Sequence, residues 1–255
     1  MSDGTGAAGR LPQAVLFDMD GLLVDSEPLW YEVESAVMAR LGGRWSPADQ
    51  RALIGSTLDR AVTYLLGRAR AAPAGREQAG REQAGREQVA RWLLDGMSAL
   101  LAERDVPLQP GAAALHAGLA AAGIPCALVT SSQPEIVAKV LDRTGLRFDA
   151  VVTGADVRHG KPHPEPYLRA AALLGAGPRS CAALEDSPTG AASAAAAGCA
   201  VVIVPGGPAA GWRGRVPAHR AASLTEVTPA LLGDLVWRQL GSAAPSGGLA
   251  GIRPD

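Results

Sequence analysis

The sequence is poor in cysteine, balanced in charge and without a long apolar run. Its three cysteines, Cys126, Cys181 and Cys199, are odd in number and lack metal-type spacing, so we expect small buried side chains in a reducing compartment. Twenty-four Lys and Arg against 25 Asp and Glu leave a net charge of -1 and form no basic stripe, which argues against a nucleic-acid partner. No segment approaches the roughly 18 apolar residues of a membrane helix, and residues 1–10 lack the apolar centre of a secretory signal. We therefore expect a soluble cytoplasmic protein with no membrane partner, and nothing in the composition requires more than a monomer.

Five short segments are apolar throughout, which is typical of parallel strands covered on both faces. They are residues 14–17, 126–129, 150–152, 181–184 and 200–204. Helical patterns alternate with them over residues 112–122, 135–144, 165–174 and 188–197. This alternation predicts the α/β class, with a doubly wound, parallel, Rossmann-like sheet.

Residues 28–105 break this rhythm because they contain no apolar strand. They have the pattern of four amphipathic helices, at residues 29–41, 47–54, 58–69 and 89–104. We predict an all-helical cap at 28–105, inserted into a core formed by 12–27 and 106–240, with disordered tails at 1–11 and 241–255. Inserted helices at a catalytic edge commonly exclude water and contact the substrate.

A tandem repeat of Ala-Gly-Arg-Glu-Gln runs three times from residue 74 to residue 88. Its period fits no helical stripe or solenoid, each unit is neutral, and its glycines weaken a helix. We interpret it as a tolerated, solvated expansion of a cap loop, with a partner-binding arm as the alternative.

Asp18 and Asp20 follow the first predicted strand directly, in Phe-Asp-Met-Asp-Gly. Residues i and i+2 of an extended chain share a face, so both carboxylates can address one ligand at the carboxyl edge of the sheet. One carboxylate can attack phosphorus while the other transfers protons. Alone, the pattern is also compatible with an ordinary Asp-Gly turn.

Three further signals follow other strands. Thr130 and Ser131 stand before a predicted helix start, where hydroxyls and free amides hold an anion, although Ser and Thr are also ordinary caps. Lys161 lies in a proline-rich loop that would fix its ammonium, although a solvated lysine is the default. Glu185 and Asp186 end another strand and offer the oxygen ligands that Mg²⁺ prefers, although Asp186 could instead cap a helix.

Together these residues make the chain similar to the haloacid dehalogenase superfamily of phosphohydrolases. FDMDGLLVDSEP resembles its first motif, Thr130 its second, Lys161 in GKPHPEPY its third, and Glu185 with Asp186 in LEDSPTG its fourth. The helical segment lies where the β-phosphoglucomutase-like subgroup carries its cap. The resemblance covers about residues 12–235.

The resemblance implies a role for each residue. Asp18 would be the nucleophile and a metal ligand, and Asp20 the general acid and then base, with its backbone carbonyl on Mg²⁺. Thr130, Ser131 and Lys161 would hold the phosphoryl group, with Lys161 also steadying Asp18. Glu185 and Asp186 would complete the magnesium site.

The branch of the family is open at this point. Asp20 argues against a dehalogenase, and residues 28–105 lack the cap lysine of a phosphonatase. A sugar phosphate mutase would have a histidine where Trp30 stands and an arginine near Leu58, although Arg60 lies close by. The motif sequences DSEPLW and LEDSPTG resemble those of sugar and hexitol phosphate phosphatases of bacteria.

We therefore predict a Mg²⁺-dependent phosphatase of a small phosphorylated metabolite, a sugar or polyol phosphate, acting through an aspartyl-phosphate. Glu27 is the candidate for substrate contact at the hinge between core and cap. The alternatives are a β-phosphoglucomutase-like mutase and a non-catalytic module that binds a phosphometabolite.

Overall fold

The computed structural model describes residues 11–71, 85–205 and 216–242. Our predictions for the tails at 1–10 and 243–255, and for most of the tandem repeat, lie outside these residues.

Six parallel strands form one sheet, in the order β3-β2-β1-β4-β5-β6. They are β1 (Ala14–Phe17), β2 (Cys126–Val129), β3 (Ala150–Val152), β4 (Cys181–Glu185), β5 (Ala200–Ile203) and β6 (His219–Arg220). The chain winds outward from β1 to β3 on one side and then returns beside β1 to build β4, β5 and β6. The topological switch point, where such sheets bind ligands, is therefore between β1 and β4. This confirms the predicted fold class; β6 was not predicted.

Five helices lie between β1 and β2 in the described residues of that segment, which contain no strand, and the first four form a group of their own. We call α1 (Glu27–Arg40), α2 (Pro47–Leu53), α3 (Leu58–Ala71) and α4 (Arg86–Glu103) the helical insertion. Glu27, predicted to precede the cap, is thus in the first turn of α1. Arg86 to Gln88, in the last repeat unit, begin α4 instead of forming a loop, and Arg86 pairs with Asp59 of α3.

Five helices pack on the sheet. They are α5 (Ala112–Ala121), α6 (Pro134–Thr144), α7 (Glu165–Leu173), α8 (Pro188–Ala197) and α9 (Pro229–Ser242). Helix α9 was not predicted, and it continues through Gly241 and Ser242, which we had placed in a disordered tail. Its Leu232 and Val236 are buried against the sheet, which explains why the chain stays helical there.

Alternate side chains of the strands point to two separate apolar layers. Val15 and Phe17 join the larger layer, which extends into the helical insertion through residues such as Leu93. Leu16 joins the smaller layer, where the alanine-rich α8 covers the opposite face. Burial on both faces is the reason that the strands are apolar throughout.

The three cysteines are buried and free, as expected. Within the described residues, we find no helix with the length and apolarity needed to cross a membrane.

Candidate active site

Three neighbouring strands deliver the site residues to one edge of the sheet. Asp18 directly follows the central strand β1, Thr130 follows β2, and Glu185 and Asp186 end β4. The backbone N–H of Asp18 donates to the carbonyl of Leu184, at 3.0 Å, so the β1–β4 pairing continues to the site. The strand order therefore brings together residues that are far apart in the chain.

Lys161 lies buried between two carboxylates. Its Nζ donates to Asp18 Oδ1 at 2.5 Å, to Glu185 Oε1 at 2.6 Å and to the carbonyl oxygen of Val129 at 2.9 Å. Both Lys161 and Asp18 are almost fully buried, and Glu185 is 0% exposed. The lysine thus fixes Oδ1 of Asp18 in place.

The loop that carries Lys161 is closed by Glu165, at the start of α7. This carboxylate accepts hydrogen bonds from the backbone N–H groups of Arg158 and His159, at 2.8 and 3.0 Å. The bond from Arg158 is the main reason that the pKa of Glu165 is lowered. These bonds join the chain before Lys161 to the chain after it, so the loop is rigid, as its prolines predict.

The carboxylates around Lys161 repel one another. Burial, followed by the charge of Glu185, raises the pKa of Asp18 to about 8 despite the ammonium of Lys161. Burial and the charge of Asp18 also raise the pKa of Asp186 well above its ordinary value. Burial would lower the pKa of Lys161, but Asp18 and Glu185 outweigh it and raise that pKa. Lys161 is therefore a permanent ammonium, and the site has an excess of acidic groups.

Glu185 is held by three donors besides the backbone. Tyr167 of α7 donates its hydroxyl to Oε1 at 2.5 Å, and the Ser187 hydroxyl donates to Oε2 at 3.2 Å. Ser187 also caps α8 by accepting from the N–H of Gly190, at 3.0 Å. A side chain at Gly190 would overlap the Glu185 carboxylate, so glycine is required there.

The carboxylates of Asp18, Glu185 and Asp186 form a group that fits Mg²⁺. One oxygen of each lies within 4.8 Å of the others. Three hard oxygen donors against a single ammonium favour a divalent cation, which would offset the burial and the mutual repulsion that raise the pKa of Asp18 and of Asp186. Gly21, at a φ of +83°, leaves the space into which the Asp186 carboxylate reaches. The side chain of Asp20 is not part of this group, and the metal ligand predicted at Asp20 is its backbone carbonyl.

Asp20 instead lies in a frame of four donors. Its Oδ1 accepts from Ser26 Oγ at 2.7 Å and from Trp30 Nε1 at 3.2 Å. Its Oδ2 accepts from Ser132 Oγ at 2.8 Å and from Thr130 Oγ1 at 3.3 Å. These bonds fix the direction of the carboxylate. Trp30 belongs to α1 of the helical insertion, and Ser26 directly precedes that helix.

One pocket opens between the sheet edge and the helical insertion. Its empty space, mouth included, is about 680 Å³, which suits a small metabolite. Asp18, Asp20, Thr130 and Ser131 line it on the side of the sheet, and Glu27 lines it on the side of the insertion. Lys161, Glu185 and Asp186 do not line it but are linked to it through Asp18.

Glu27 is held in the pocket by Gln50 of α2, whose Nε2 donates to Oε2 at 2.8 Å. Burial is the main reason that the pKa of Glu27 is raised, and the Gln50 bond opposes this. Glu27 therefore joins α1 to α2 beside the position where substrate would lie.

Sequence reasoning missed several residues of this arrangement. Tyr167 stands in the third motif and Ser132 beside the second, so their positions were visible but their partners were not. Ser26 stands in the first motif, although its bond to Asp20 was not visible there. Gln50 and Glu34, the latter a buried residue of α1 that also lines the pocket, carried no recognisable signal.

Comparison with known proteins agrees with this geometry. The haloacid dehalogenase-like hydrolase family matches residues 12–198. Hexitol phosphatase B of Escherichia coli K12 is 36% identical over 219 residues, covering 84% of this chain and 94% of the relative. Phosphoglycolate phosphatase of Yersinia pestis is 33% identical over 189 residues, covering 73% and 78%.

Among solved structures, a β-phosphoglucomutase from Clostridium difficile superposes with a TM-score of 0.75. The match covers 91% of this chain and 100% of that one, at 19% identity, and so supports the fold alone. The family match and the named relatives also identify the family and the class of reaction. We conclude that this chain belongs to the haloacid dehalogenase-like hydrolases and is a phosphoric monoester hydrolase.

Proposed function

We propose that the protein is a Mg²⁺-dependent phosphatase that hydrolyses a sugar or polyol monophosphate through an aspartyl-phosphate on Asp18. The observation that carries the proposal is the bond from Lys161 to Asp18 Oδ1 at the floor of a pocket that Asp20 shares. The similarity to hexitol phosphatase B supports the class of substrate.

In the first step, a free carboxylate oxygen of Asp18 attacks phosphorus and the bond to the leaving oxygen breaks. Asp20 gives that oxygen a proton, so the alcohol departs neutral. In the second step, Asp20 takes a proton from water, which attacks phosphorus and releases Asp18 with inorganic phosphate. This route uses one carboxylate as the nucleophile and another as proton donor and acceptor, and it is supported by the presence of both Asp18 and Asp20 in the lining of one pocket.

The other residues hold the reacting groups. Lys161 keeps Oδ1 of Asp18 fixed and places positive charge beside the phosphoryl group. The Ser131 hydroxyl is buried, lines the pocket and has no hydrogen-bond partner, so it is free to donate to a phosphoryl oxygen. Mg²⁺, held by Asp18, Glu185 and Asp186, would neutralise charge on the transferring group. The backbone carbonyl of Asp20 remains a proposed further ligand.

The mutase alternative lacks its distal-phosphate contact. Arg60 is exposed and donates to the carbonyl of Ala52 at 3.3 Å, and Leu58 lines the pocket in its place. Trp30, at the position of the mutase histidine, donates its indole N–H to Asp20. These contacts favour water as the phosphoryl acceptor.

The test is inorganic phosphate release from a panel of sugar, polyol, nucleotide and carboxylic acid monophosphates, with Mg²⁺ and with chelator. We expect metal-dependent release, lost by at least about a thousandfold in Asp18→Asn because its amide cannot attack phosphorus. The matched control is Asp142→Asn, an exposed residue of α6, which should keep wild-type rates.

A second readout examines the intermediate. Acid quenching with ³²P-labelled substrate should leave label on the wild-type protein and none on Asp18→Asn. Turnover retained in Asp18→Asn would contradict the nucleophile assignment, and undiminished turnover with chelator would contradict the metal dependence.

A further inference from the structure

The wall of the pocket that faces away from Asp18 is made by the helical insertion. Glu27, Trp30 and Glu34 follow one another at intervals of three and four residues, so they share one face of α1. Glu34 lies two turns from Glu27, or about 10 Å along the helix at 1.5 Å per residue. It therefore belongs to the end of the pocket remote from the reacting groups.

This wall contains buried polar atoms that have no partner. Among the described residues, four side-chain atoms are buried without a hydrogen bond, and three of these belong to the pocket: Glu34 Oε2, Gln50 Oε1 and Ser131 Oγ. Leaving such an atom unsatisfied is energetically costly, so each one needs an explanation. A ligand that supplies the missing hydrogen bonds would explain all three.

The chemistry of the unpaired atoms indicates the kind of ligand. Gln50 lines the pocket and donates its amide N–H to Glu27, which leaves its carbonyl oxygen as an acceptor without a partner. Glu34 is 5% exposed, and its Oε2 is a second oxygen in need of a partner. A hydroxyl group can both donate to and accept from such groups, whereas an ionised carboxylate or phosphate dianion can only accept, so the Gln50 carbonyl oxygen favours a hydroxyl.

The charge of this wall points the same way. None of the described residues that line the pocket is a lysine, arginine or histidine. Burial, followed by the charge of Glu27, raises the pKa of Glu34 to about 8, and the nearby indole of Trp45 opposes this shift. A second anionic group on the substrate would therefore find no cation to pair with at this end.

We propose that Glu34 and Gln50 form a hydroxyl-binding subsite, and that Glu27 lies between this subsite and the reacting groups. The subsite selects monophosphates whose leaving group is an uncharged polyol. It rejects monophosphates that carry a second anionic group. This proposal rests on the proposed function, and it names which side chains determine the substrate. Glu34 is a specificity-determining residue with no role in the chemical steps.

The test compares two substrates that share a six-carbon chain and differ at its far end. A hexitol 6-phosphate ends in CH₂OH, and 6-phosphogluconate ends in a carboxylate. The aryl ester p-nitrophenyl phosphate, which has no hydroxyls to bind, reports the chemistry alone. The variants are Glu34→Leu, the neutral isostere Glu34→Gln, and Glu32→Gln as a control on the exposed face of α1.

We expect the wild type to prefer the hexitol phosphate over 6-phosphogluconate by at least about tenfold in kcat/KM, the equivalent of one charge left unpaired. Glu34→Leu should raise the KM for the hexitol phosphate about tenfold while the rate with p-nitrophenyl phosphate changes by less than about twofold. Glu34→Gln keeps hydrogen-bonding atoms and should retain the preference, and Glu32→Gln should behave as wild type. If Glu34→Leu does not fold, Gln50→Leu in α2 carries the same test.

Normal hydrolysis of p-nitrophenyl phosphate together with an unchanged hexitol phosphate KM in Glu34→Leu would overturn the subsite alone. Equal use of 6-phosphogluconate by the wild type would do the same. Failure of the wild type to release phosphate from the hexitol phosphate and from p-nitrophenyl phosphate alike would contradict the proposed function and the subsite together.

Discussion

At the scale of single residues, Glu185 shows how one buried carboxylate is made tolerable. It is 0% exposed, and its two oxygens accept from Lys161, Tyr167 and Ser187. A buried charge is costly unless it is paired and hydrogen-bonded, so these donors are part of the stability of the site. Tyr167 also places its ring 5.2 Å from Lys161 Nζ, which adds a cation–π contact.

Removal of the Tyr167 hydroxyl should therefore weaken the fold and the site together. We expect Tyr167→Phe to lower the free energy of unfolding by about 2 kcal/mol, because a hydrogen bond to a charged group is lost in a dry environment. The ring and its contact with Lys161 remain, so kcat should fall by less than about tenfold. Urea unfolding and phosphate release measure the two quantities.

Tyr31→Phe is the matched control. Tyr31 lies in α1, is partly exposed and lies outside the site, so its variant should unfold within about 0.5 kcal/mol of the wild type. Equal stability of the two variants would show that the Tyr167 hydroxyl contributes nothing to holding Glu185.

At the scale of elements, the short loop between α2 and α3 connects the helical insertion to the sheet edge. Gly55 has a φ of +68°, and a side chain there would overlap Ser187, which holds Glu185 and caps α8. Two residues on, Thr57 lies against Gly160, next to Lys161. The loop therefore touches two of the motif-bearing loops and also lines the pocket.

Gly55→Ala should disturb this contact. A β-carbon is strained at positive φ and would push the loop away from Ser187, so we expect a loss of stability of about 1–3 kcal/mol. Because misplacement by about 1 Å is costly to catalysis, kcat/KM should fall at least about tenfold. Thermal unfolding and steady-state kinetics on the same preparation measure both effects.

Gly67→Ala provides the control within the same insertion. Gly67 lies inside α3 and a β-carbon there meets nothing within 4 Å, so alanine should stabilise the helix by up to about 1 kcal/mol and leave the kinetics unchanged. Wild-type kinetics in Gly55→Ala would show that the loop contact is not needed for activity.

At the scale of the whole molecule, one apolar layer joins the helical insertion to the sheet. Residues of α3 and α4, such as Leu65 and Met97, belong to the same buried cluster as Phe17 of β1. The pocket, which has lining residues from both the helical insertion and the sheet, therefore lies at the edge of this shared core. That is where burial raises the pKa of Glu27, of Glu34 and of Asp18.

Such raised pKa values make the stability of the molecule depend on pH. A carboxyl group whose pKa is higher in the folded state stabilises the fold at low pH, and this contribution is lost as pH rises toward the folded value. For Glu34 the window runs from its ordinary value of 4.5 to about 8. Glu34→Gln removes the proton equilibrium, so its stability relative to the wild type should increase by a few kcal/mol across this window, since one pKa unit corresponds to about 1.4 kcal/mol.

The measurement is urea unfolding of both proteins without metal at pH 5, 6.5 and 8. Glu32→Gln changes only an exposed pair with Arg104, so its difference from the wild type should stay below about 1 kcal/mol at every pH. A difference between Glu34→Gln and the wild type that does not grow with pH would argue against a buried acidic proton at Glu34.

The features that depend on local sequence pattern, namely the apolar strands and the four motifs, were predictable before the structure was known. The five apolar segments became β1 to β5, because a strand buried on both faces must be apolar throughout. The four motifs identified the family because each stands directly after a strand or on a loop of distinctive composition. Two elements had no such signal: β6 is only two residues long and exists through its pairing with β5, and α9 is held by contacts with the sheet.

Which side chains meet depends on the packing of the strands and helices. Lys161 reaches Asp18 across 143 positions of the chain because the strand order places their loops at one edge, and no local spacing encodes that order. The same is true of the wall opposite Asp18, where α1 and α2 bring Glu34 and Gln50 to one pocket with oxygens that lack partners. Backbone pattern is set by neighbours along the chain, whereas burial, pairing and the pKa of a carboxyl group are set by neighbours in space.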